Sequence, residues 1–298
     1  MSEHPILVDD TKAIAPGTLY LVGTPIGNLE DITLRSLRVL QQVDWIAAED
    51  TRRTGQLLKH FQIGTRTLSY HAHNRAQRIP DLIAKLQADA AIALVTDAGM
   101  PAISDPGEDL VRACIAAEIS VVPIPGPTAF VTALVAAGLP TDRFMFEGFL
   151  PTQASVRHAR IAEIPARGMT TVLYEAPHRL LKTLEDLSHA IPRDRPIVLA
   201  RELTKKYEEF WRGSLQEAIA RVKVHPPRGE FAIAIGGRSE TAPHLSDEEI
   251  LAQVQSLMKE GVSRSQASRQ VAQATGRGRR DIYDLALLLP PVEEMKME

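Results

Sequence analysis

The sequence contains one cysteine, Cys114, in 298 residues. A lone cysteine cannot close an internal disulfide, which fits a reducing, cytoplasmic compartment. It lies in the apolar stretch Leu110-Val111-Arg112-Ala113-Cys114-Ile115, where a small buried hydrophobe is expected rather than a nucleophile. Aromatic residues make up only 5%, so Ala, Val, Leu and Ile must do most of the packing. No run of about 18 apolar residues occurs, so no membrane span is expected. Met1-Ser2-Glu3-His4-Pro5 has neither a basic n-region nor an apolar h-region, so no signal peptide is expected. Neither charge sign dominates: the formal net charge is -3. Any affinity for nucleic acid must therefore come from local clusters. Nucleotide fingerprints are missing too, both G-x-G-x-x-G and the Walker lysine motif.

What is present is ample apolar material, 44% of the chain, which argues against disorder. The length suggests two or three compact units. The reading is an N-terminal tail (1–15), an α/β domain (16–148), a second α/β domain (149–237) and a helical, basic C-terminal unit (238–298). Short β-rich runs at Thr18–Val22, Trp45–Ala48, Ala91–Val95 and Ser120–Val122 alternate with helical stretches, the first marked by Leu34, Leu37 and Leu40. That alternation predicts a mainly parallel sheet with covering helices. Phe149-Leu150-Pro151-Thr152 reads as a boundary. Strands are then expected at Thr170–Tyr174, Ile197–Ala200, through Phe210-Trp211, and at Phe231–Ile235. Ser239 to His244 reads as a polar linker, and Ser246-Asp247-Glu248-Glu249 as a helix start.

Ligands of such sheets bind beyond the carboxyl ends of the strands. Three stiff loops lie there: Gly23-Thr24-Pro25-Ile26-Gly27-Asn28, Thr96 to Gly107, and Pro123-Ile124-Pro125-Gly126-Pro127-Thr128-Ala129. Asp105 is a candidate N-cap, with Pro106 opening the helix. Polar clusters follow other strands. Glu49-Asp50-Thr51-Arg52-Arg53 reads either as a capped helix start or as a catalytic or substrate-facing edge. Glu175, His178 and Arg179, and then Arg201, Glu202, Lys205 and Lys206, read as charged surface or as substrate contacts. His71 and His73 are spaced i, i+2, which would point them apart on a strand, so no metal is expected. Between Gly261 and Arg280 there are five arginines (Arg264, Arg269, Arg277, Arg279, Arg280) and no acid. The pattern is helix-turn-helix-like with a basic face, which suits phosphate contact or is a solvated appendage.

Several stretches in order carry a resemblance. They are Gly23 to Leu29, Ala48-Glu49-Asp50-Thr51-Arg52, His71-Ala72-His73-Asn74, Thr96-Asp97-Ala98-Gly99, Ile103 to Gly107, Pro125-Gly126-Pro127, Tyr174 to Arg179 and Ala200 to Lys205. On these the chain resembles the tetrapyrrole-methylase-like family of S-adenosylmethionine enzymes. Within it, the chain is similar to the branch that methylates the 2'-oxygen of a cytidine ribose in small-subunit (16S) ribosomal RNA. The resemblance implies two α/β domains with the cofactor in the cleft between them, a homodimer, and ribosomal RNA or the small subunit as substrate. Carried over by motif, Thr24, Pro25, Ile26, Asp97, Ala98, Gly99, Met100, Ile103, Thr128, Ala129, Glu175 and Phe231 would bind S-adenosylmethionine. Glu49, Asp50, Arg52 and Glu175 are the catalytic candidates. Arg52, Arg53, His178, Arg179, Arg201, Lys205 and the five C-terminal arginines are the RNA-binding candidates. Three positions depart from the family pattern: Met100 for Thr, Arg75 for Glu and Ala176 for Ser. Two rival readings are a carbon methyltransferase acting on a tetrapyrrole precursor and a non-catalytic ribosome-assembly factor that only binds RNA. The basic C-terminal unit speaks against the first, and the intact cofactor loops speak against the second.

Overall fold

A computed structural model describes residues 13–164, 168–237, 246–275 and 277–289. Residues 1–12 of the expected tail and the expected linker Ser239–His244 lie outside the described residues. The chain divides after Gly237 into two compact units.

The first unit opens with β1 (Thr18–Val22), α1 (Leu34–Gln42), β2 (Trp45–Ala48), α2 (Thr51–His60), β3 (Arg66–Ser69), α3 (Arg75–Gln87), β4 (Ile92–Val95), α4 (Glu108–Ala116) and β5 (Ser120–Ile124). The five strands form one parallel sheet in the order β3-β2-β4-β1-β5. Every residue of β4 is buried, as a strand covered on both faces requires. α1 and α2 set Leu37, Leu40 and Leu58 against Ile46 and Val95 on one face. α3 and α4 set Leu82, Leu86 and Leu110 against Leu19 and Ile92 on the other. β1 and β4 are neighbours, yet their connections leave in opposite directions over opposite faces. A crevice opens beyond the carboxyl ends of such a pair.

The same unit continues with α5 (Ala129–Val135), β6 (Phe144–Phe149), α6 (Ala154–Glu163), β7 (Thr170–Glu175), α7 (Pro177–Ser188), β8 (Pro196–Arg201), β9 (Glu209–Ser214), α8 (Leu215–Val224) and β10 (Phe231–Ile235). Their sheet runs β6-β7-β10-β8-β9. Only β6 and β7 pair in parallel; β10 is antiparallel to both its neighbours. α6, α7 and α8 cover one face through Ile161, Leu180, Leu184 and Ala218. α5 covers the other, with Phe130, Ala133 and Leu134 against Val172, Val198 and Ala200. α5 thus leaves the last strand of the first sheet and packs on the second.

Two strands escape the sequence reading. β3 is a short edge strand with no apolar run. β6 crosses the expected 148/149 boundary, because Gly148 sits at φ 63° and shifts the register after Phe146, which breaks the alternation.

The second unit holds α9 (Asp247–Lys259), α10 (Arg264–Thr275) and α11 (Arg279–Ala286). A capping box between Ser246 and Glu249 starts α9. Ile250, Val254, Met258, Val271 and Ile282 form its core. Among the described residues no helix is long and apolar enough to cross a membrane.

Candidate functional site

A cavity of about 450 Å³ lies at the strand ends, walled by both sheets of the first unit. Three loops build its first wall by backbone contact. Thr24 N–H donates to Gly99 O and Gly99 N–H donates back to Thr24 O, both at 3.0 Å. Thr24 Oγ1 donates to Thr96 O at 3.2 Å, and Gly23 N–H to Ile124 O at 3.2 Å. Gly23 and Gly126 touch so closely that a Cβ on Gly23 would stand 2.7 Å from Gly126 Cα. Gly99 is needed for another reason: its φ is +82°, while a Cβ there would meet nothing nearer than Ile26 at 3.6 Å. Its constraint is backbone conformation rather than crowding.

The loop after β4 carries backbone strain, as does the loop after β8 with Glu202 (φ 49°) and Thr204 (φ 66°). Ala102 (φ 68°) and Ser104 (φ 62°) are left-handed non-glycine residues on either side of Ile103. Each such residue costs on the order of 1–3 kcal/mol and persists where surrounding structure imposes it. These turns delay the helix, so Gly107 rather than Asp105 is the N-cap of α4. The capping role expected for Asp105 is thereby corrected, and Asp105 lines the cavity instead.

Burial pushes the Asp105 carboxyl up to about 7, and the charges of Glu49 and Asp97 add to this, against a hydrogen bond from Thr96. Between the ordinary carboxylate range and that value, the folded chain keeps a proton that the unfolded chain has released. Stability therefore falls as pH rises through that window, and the penalty is complete above about pH 7. Asp105→Asn is expected to raise the melting temperature at pH 8 and to leave it unchanged near pH 3. Equal shifts in thermal unfolding at both pH values would contradict this.

Ile26, Asp97, Ala98, Gly99, Met100 and Ile103 line the cavity from the first half, with Thr128 and Ala129 from the start of α5. Glu175 and Phe231 line it from the second sheet. Thr24 and Pro25 are not in the lining; Thr24 is buried behind it and ties the loops together. Tyr174, Phe149, Leu203 and Glu230 also line it, although none of them is among the site residues expected from sequence. Burial raises the Tyr174 hydroxyl to about 12, and its oxygen accepts the Phe130 N–H at 2.9 Å.

The catalytic candidates fall in two places. Glu49 and Asp50 stand behind Asp97: Asp97 N–H donates to Glu49 Oε2 at 3.4 Å, and Asp50 N–H to Asp97 Oδ1 at 3.2 Å. Neither lines the cavity. Burial raises the Glu49 carboxyl. Asp50 caps α2, and hydrogen bonds from Arg52 hold its carboxyl down at about 2. Arg52 is paired with Asp50 and 88% exposed. Arg53, by contrast, lines the cavity and pairs with Asp97 at 3.2 Å. Glu175 reaches the lining, but its carboxylate is fully buried. Oε1 accepts Ala176 N–H at 2.9 Å and Oε2 accepts Thr183 Oγ1–H at 2.5 Å. Arg179 and Arg157 stand 3.3 and 3.9 Å away.

Of the RNA-binding candidates, His178 is exposed and lines the cavity. Arg179 turns inward and donates to Leu150 O at 2.6 Å. Lys205 lines the cavity between Glu202 (3.0 Å) and Glu230 (2.8 Å), and Arg201 pairs with Glu209 at 3.5 Å. In the second unit Arg264 donates to Leu289 O at 2.7 Å, and Arg279 to Ser265 Oγ at 3.3 Å. Arg277 pairs with Asp247 at 2.6 Å, so its field is locally cancelled after all, because folding returns the start of α9 to it. Arg269 and Arg280 are exposed. Among the described residues no group of three or more His, Cys, Asp or Glu could hold a metal ion.

The chain matches the family described as Tetrapyrrole (Corrin/Porphyrin) Methylases over residues 18–219. It is 54% identical to Ribosomal RNA small subunit methyltransferase I of Synechocystis sp., over 92% of this chain and 98% of that one. The protein of the same name from Halalkalibacterium halodurans is 48% identical, over 90% and 94% of the two chains. Among solved structures, uroporphyrin-III-C-methyltransferase from Thermus thermophilus superposes with a TM-score of 0.54 at 23% identity, covering 74% of this chain and 94% of its own. Cobalt precorrin-4 methyltransferase gives 0.57 at 17%, covering 74% and 95%. Paired sheets, a cavity at their strand ends and these matches together establish that the chain belongs to the tetrapyrrole methylase family.

Proposed function

We propose that this protein transfers the methyl group of S-adenosylmethionine to the 2'-oxygen of a cytidine ribose in small-subunit ribosomal RNA. The observation that carries the reading is the 54% identity to a ribosomal RNA small subunit methyltransferase I along 98% of that relative's length.

The cavity residues fit the cofactor. Ile26, Ile103, Leu203 and Phe231 offer apolar surface for a purine. Asp97, paired with Arg53, and Asp105, whose carboxyl is raised to about 7, lie on the same lining, and a ligand bearing a positive sulfonium would favour the charged form of Asp105. When bound, S-adenosylmethionine supplies an electrophilic methyl. The chain's own part is to bind, orient and exclude water, and positioning of this kind is worth about 7–11 kcal/mol in favourable cases. The departures from the family pattern are compatible with this role. Met100 lies against Gly23 in the cavity wall, and Ala176 keeps its N–H on Glu175. Arg75 is paired with Asp109 at 2.7 Å and does not line the cavity. Of the basic groups at the lining, exposed His178 is suited to RNA, while Arg53 is paired with Asp97 and Lys205 with Glu202 and Glu230. Arg269 and Arg280 would add phosphate contacts from the second unit. The protein would act in the cytoplasm as a homodimer, as the family resemblance implies.

Methylation of a tetrapyrrole carbon is the rival with structural neighbours. Those neighbours share the fold at 17–23% identity and match 74% of the chain, whereas the ribosomal RNA relatives match 90–92%. The test is to map ribose methyls in small-subunit ribosomal RNA from cells with and without this protein. One cytidine 2'-O-methyl is expected to vanish with the protein and to return when purified protein and S-adenosylmethionine are added. A methylated base on unmodified ribose, or no change, would overturn the reading.

A further inference from the structure

A second concavity of about 330 Å³ opens at the same edge of the second sheet. Its lining includes Arg201, Trp211, Arg221, His225, Arg228 and Phe231. Phe231 also lines the large cavity, so the two concavities share a wall. The edge is shared because β10 runs antiparallel to β8. Register places Phe231 at the start of β10 beside Arg201 at the end of β8, and Arg201 beside Glu209 at the start of β9.

Charge in this groove is strongly one-sided. Glu209 is its only acid, and it holds two guanidiniums, Arg201 at 3.5 Å and Arg221 in a closer contact. That leaves a net positive floor. Arg228 and His225 are exposed, and among the described residues neither side chain has an ionic or hydrogen-bonding partner. Pro226 and Pro227 stiffen the segment that carries them.

The turn that follows serves both concavities. Gly229 sits at φ +80°, and a Cβ there would fall 2.5 Å from the Glu202 side chain. Glu202 Oε1 in turn accepts the Glu230 N–H at 2.9 Å. The turn is thus fixed with Arg228 lining the groove and Glu230 lining the cavity.

Resting on the methyl-transfer reading, we propose that this groove is a phosphate subsite for the RNA strand that presents its target nucleotide to the cavity. Arg228 and the Arg201–Glu209–Arg221 cluster would hold a backbone phosphate of a neighbouring nucleotide. A nucleotide that enters a pocket leaves its stack, so its flanking backbone must be held in place. A guanidinium pair pre-oriented by one carboxylate, beside a free arginine, suits a phosphodiester.

The experiment measures binding of unmodified small-subunit ribosomal RNA to the full chain between about 50 and 200 mM salt. Arg228→Glu is expected to weaken binding about ten-fold or more at the lower salt and to flatten the log-log salt slope by about 0.7–0.9. Arg228→Ala gives the same flattening with a smaller loss. Arg112→Glu, the same charge change at an exposed position on α4, serves as the control and leaves the slope unaltered. S-adenosylmethionine affinity, measured in parallel, stays at the wild-type value in all three. Equal effects of Arg228→Glu and Arg112→Glu, or no effect of either, would overturn the subsite. Wild-type ribose methylation is assayed alongside. If the wild-type protein methylates and the two reversals match, the subsite alone fails. If it does not methylate while Arg228→Glu still weakens binding, the methyl-transfer reading alone fails. A wild-type chain that binds no RNA removes both.

Discussion

Arg157→Ala is expected to lower the unfolding free energy by about 3 kcal/mol, the lower end for breaking a buried ion pair. Arg157 is 3% exposed on α6. Its Nε donates to Asp186 at 2.7 Å and a terminal nitrogen donates to Thr183 at 2.6 Å. Thr183 passes the contact on to Glu175, whose side chain has no exposure. Alanine would leave two carboxylates without their shared cation, in a place where water cannot replace it. Arg179 and Lys182 remain near Glu175 and Asp186, which keeps the loss at the lower end. Urea unfolding measures the effect. The double variant Arg157→Met with Glu175→Gln should recover part of the loss, since it removes charge from both sides. A single-variant loss under about 0.5 kcal/mol, the ordinary range for surface changes, would show that the network does not support the fold. The same network explains why Glu175 is better suited to holding the mouth of α7 than to moving a proton: both its oxygens are already occupied.

The second large effect is expected at Gly23. A methyl group there would meet Gly126 Cα and Met100 Sδ, each at 2.7 Å. Methionine can swing away, but backbone cannot, so the loops after β1 and β5 must separate. Overpacking of this kind costs about 1–3 kcal/mol. Those loops also carry Ile26, Thr128 and Ala129 into the cavity, so Gly23→Ala should lose S-adenosylmethionine binding along with stability. Gly126→Ala should behave alike, and the double variant should cost less than the sum, because one separation relieves both clashes. Gly55 is the contrasting case. It lies within α2, where an added methyl would meet nothing within 4 Å, and Gly55→Ala should gain about 0.5–1 kcal/mol. Calorimetry and equilibrium binding check all four. Additive losses at Gly23 and Gly126, with binding retained, would mean that the two loops move independently.

Strands with a plain apolar run are legible without coordinates. β1, β2 and β10 begin and end where their β-rich residues do, because each is buried on both faces and nothing competes with the pattern. β3 and β6 are not legible, since an edge strand needs no apolar run and a glycine shift destroys alternation. The same contrast holds at the site. Loop residues such as Ala98, Gly99 and Ile103 announce themselves by stiff, glycine-bearing sequence at a strand end. Asp105 does not, because an Asp-Pro pair before a helix has the ordinary signature of a cap. Only the left-handed turns at Ala102 and Ser104 redirect it. For the arginines, sequence shows position but not partner. Arg179, Arg264 and Arg277 look like free surface charge until folding supplies a carbonyl or a carboxylate from a distant segment.

The placement of α5 has a consequence for the order in which the chain can be built. Apart from Ile26, the partners of its apolar residues Phe130, Ala133 and Leu134 come from the second sheet, from Phe146 on β6 through Ala234 on β10, and emerge from the ribosome later. The parallel sheet from β1 to β5 can close while synthesis continues, since its strand pairings all lie among β1 to β5. α5 has nowhere to dock in that interval and leaves a greasy face in water, the kind of surface on which nascent chains aggregate or engage chaperones. Because the pocket draws residues from Ile26 through Ala232, a ligand that needs the whole lining cannot bind the waiting intermediate, and α5 is fully covered only when the last strand has been made.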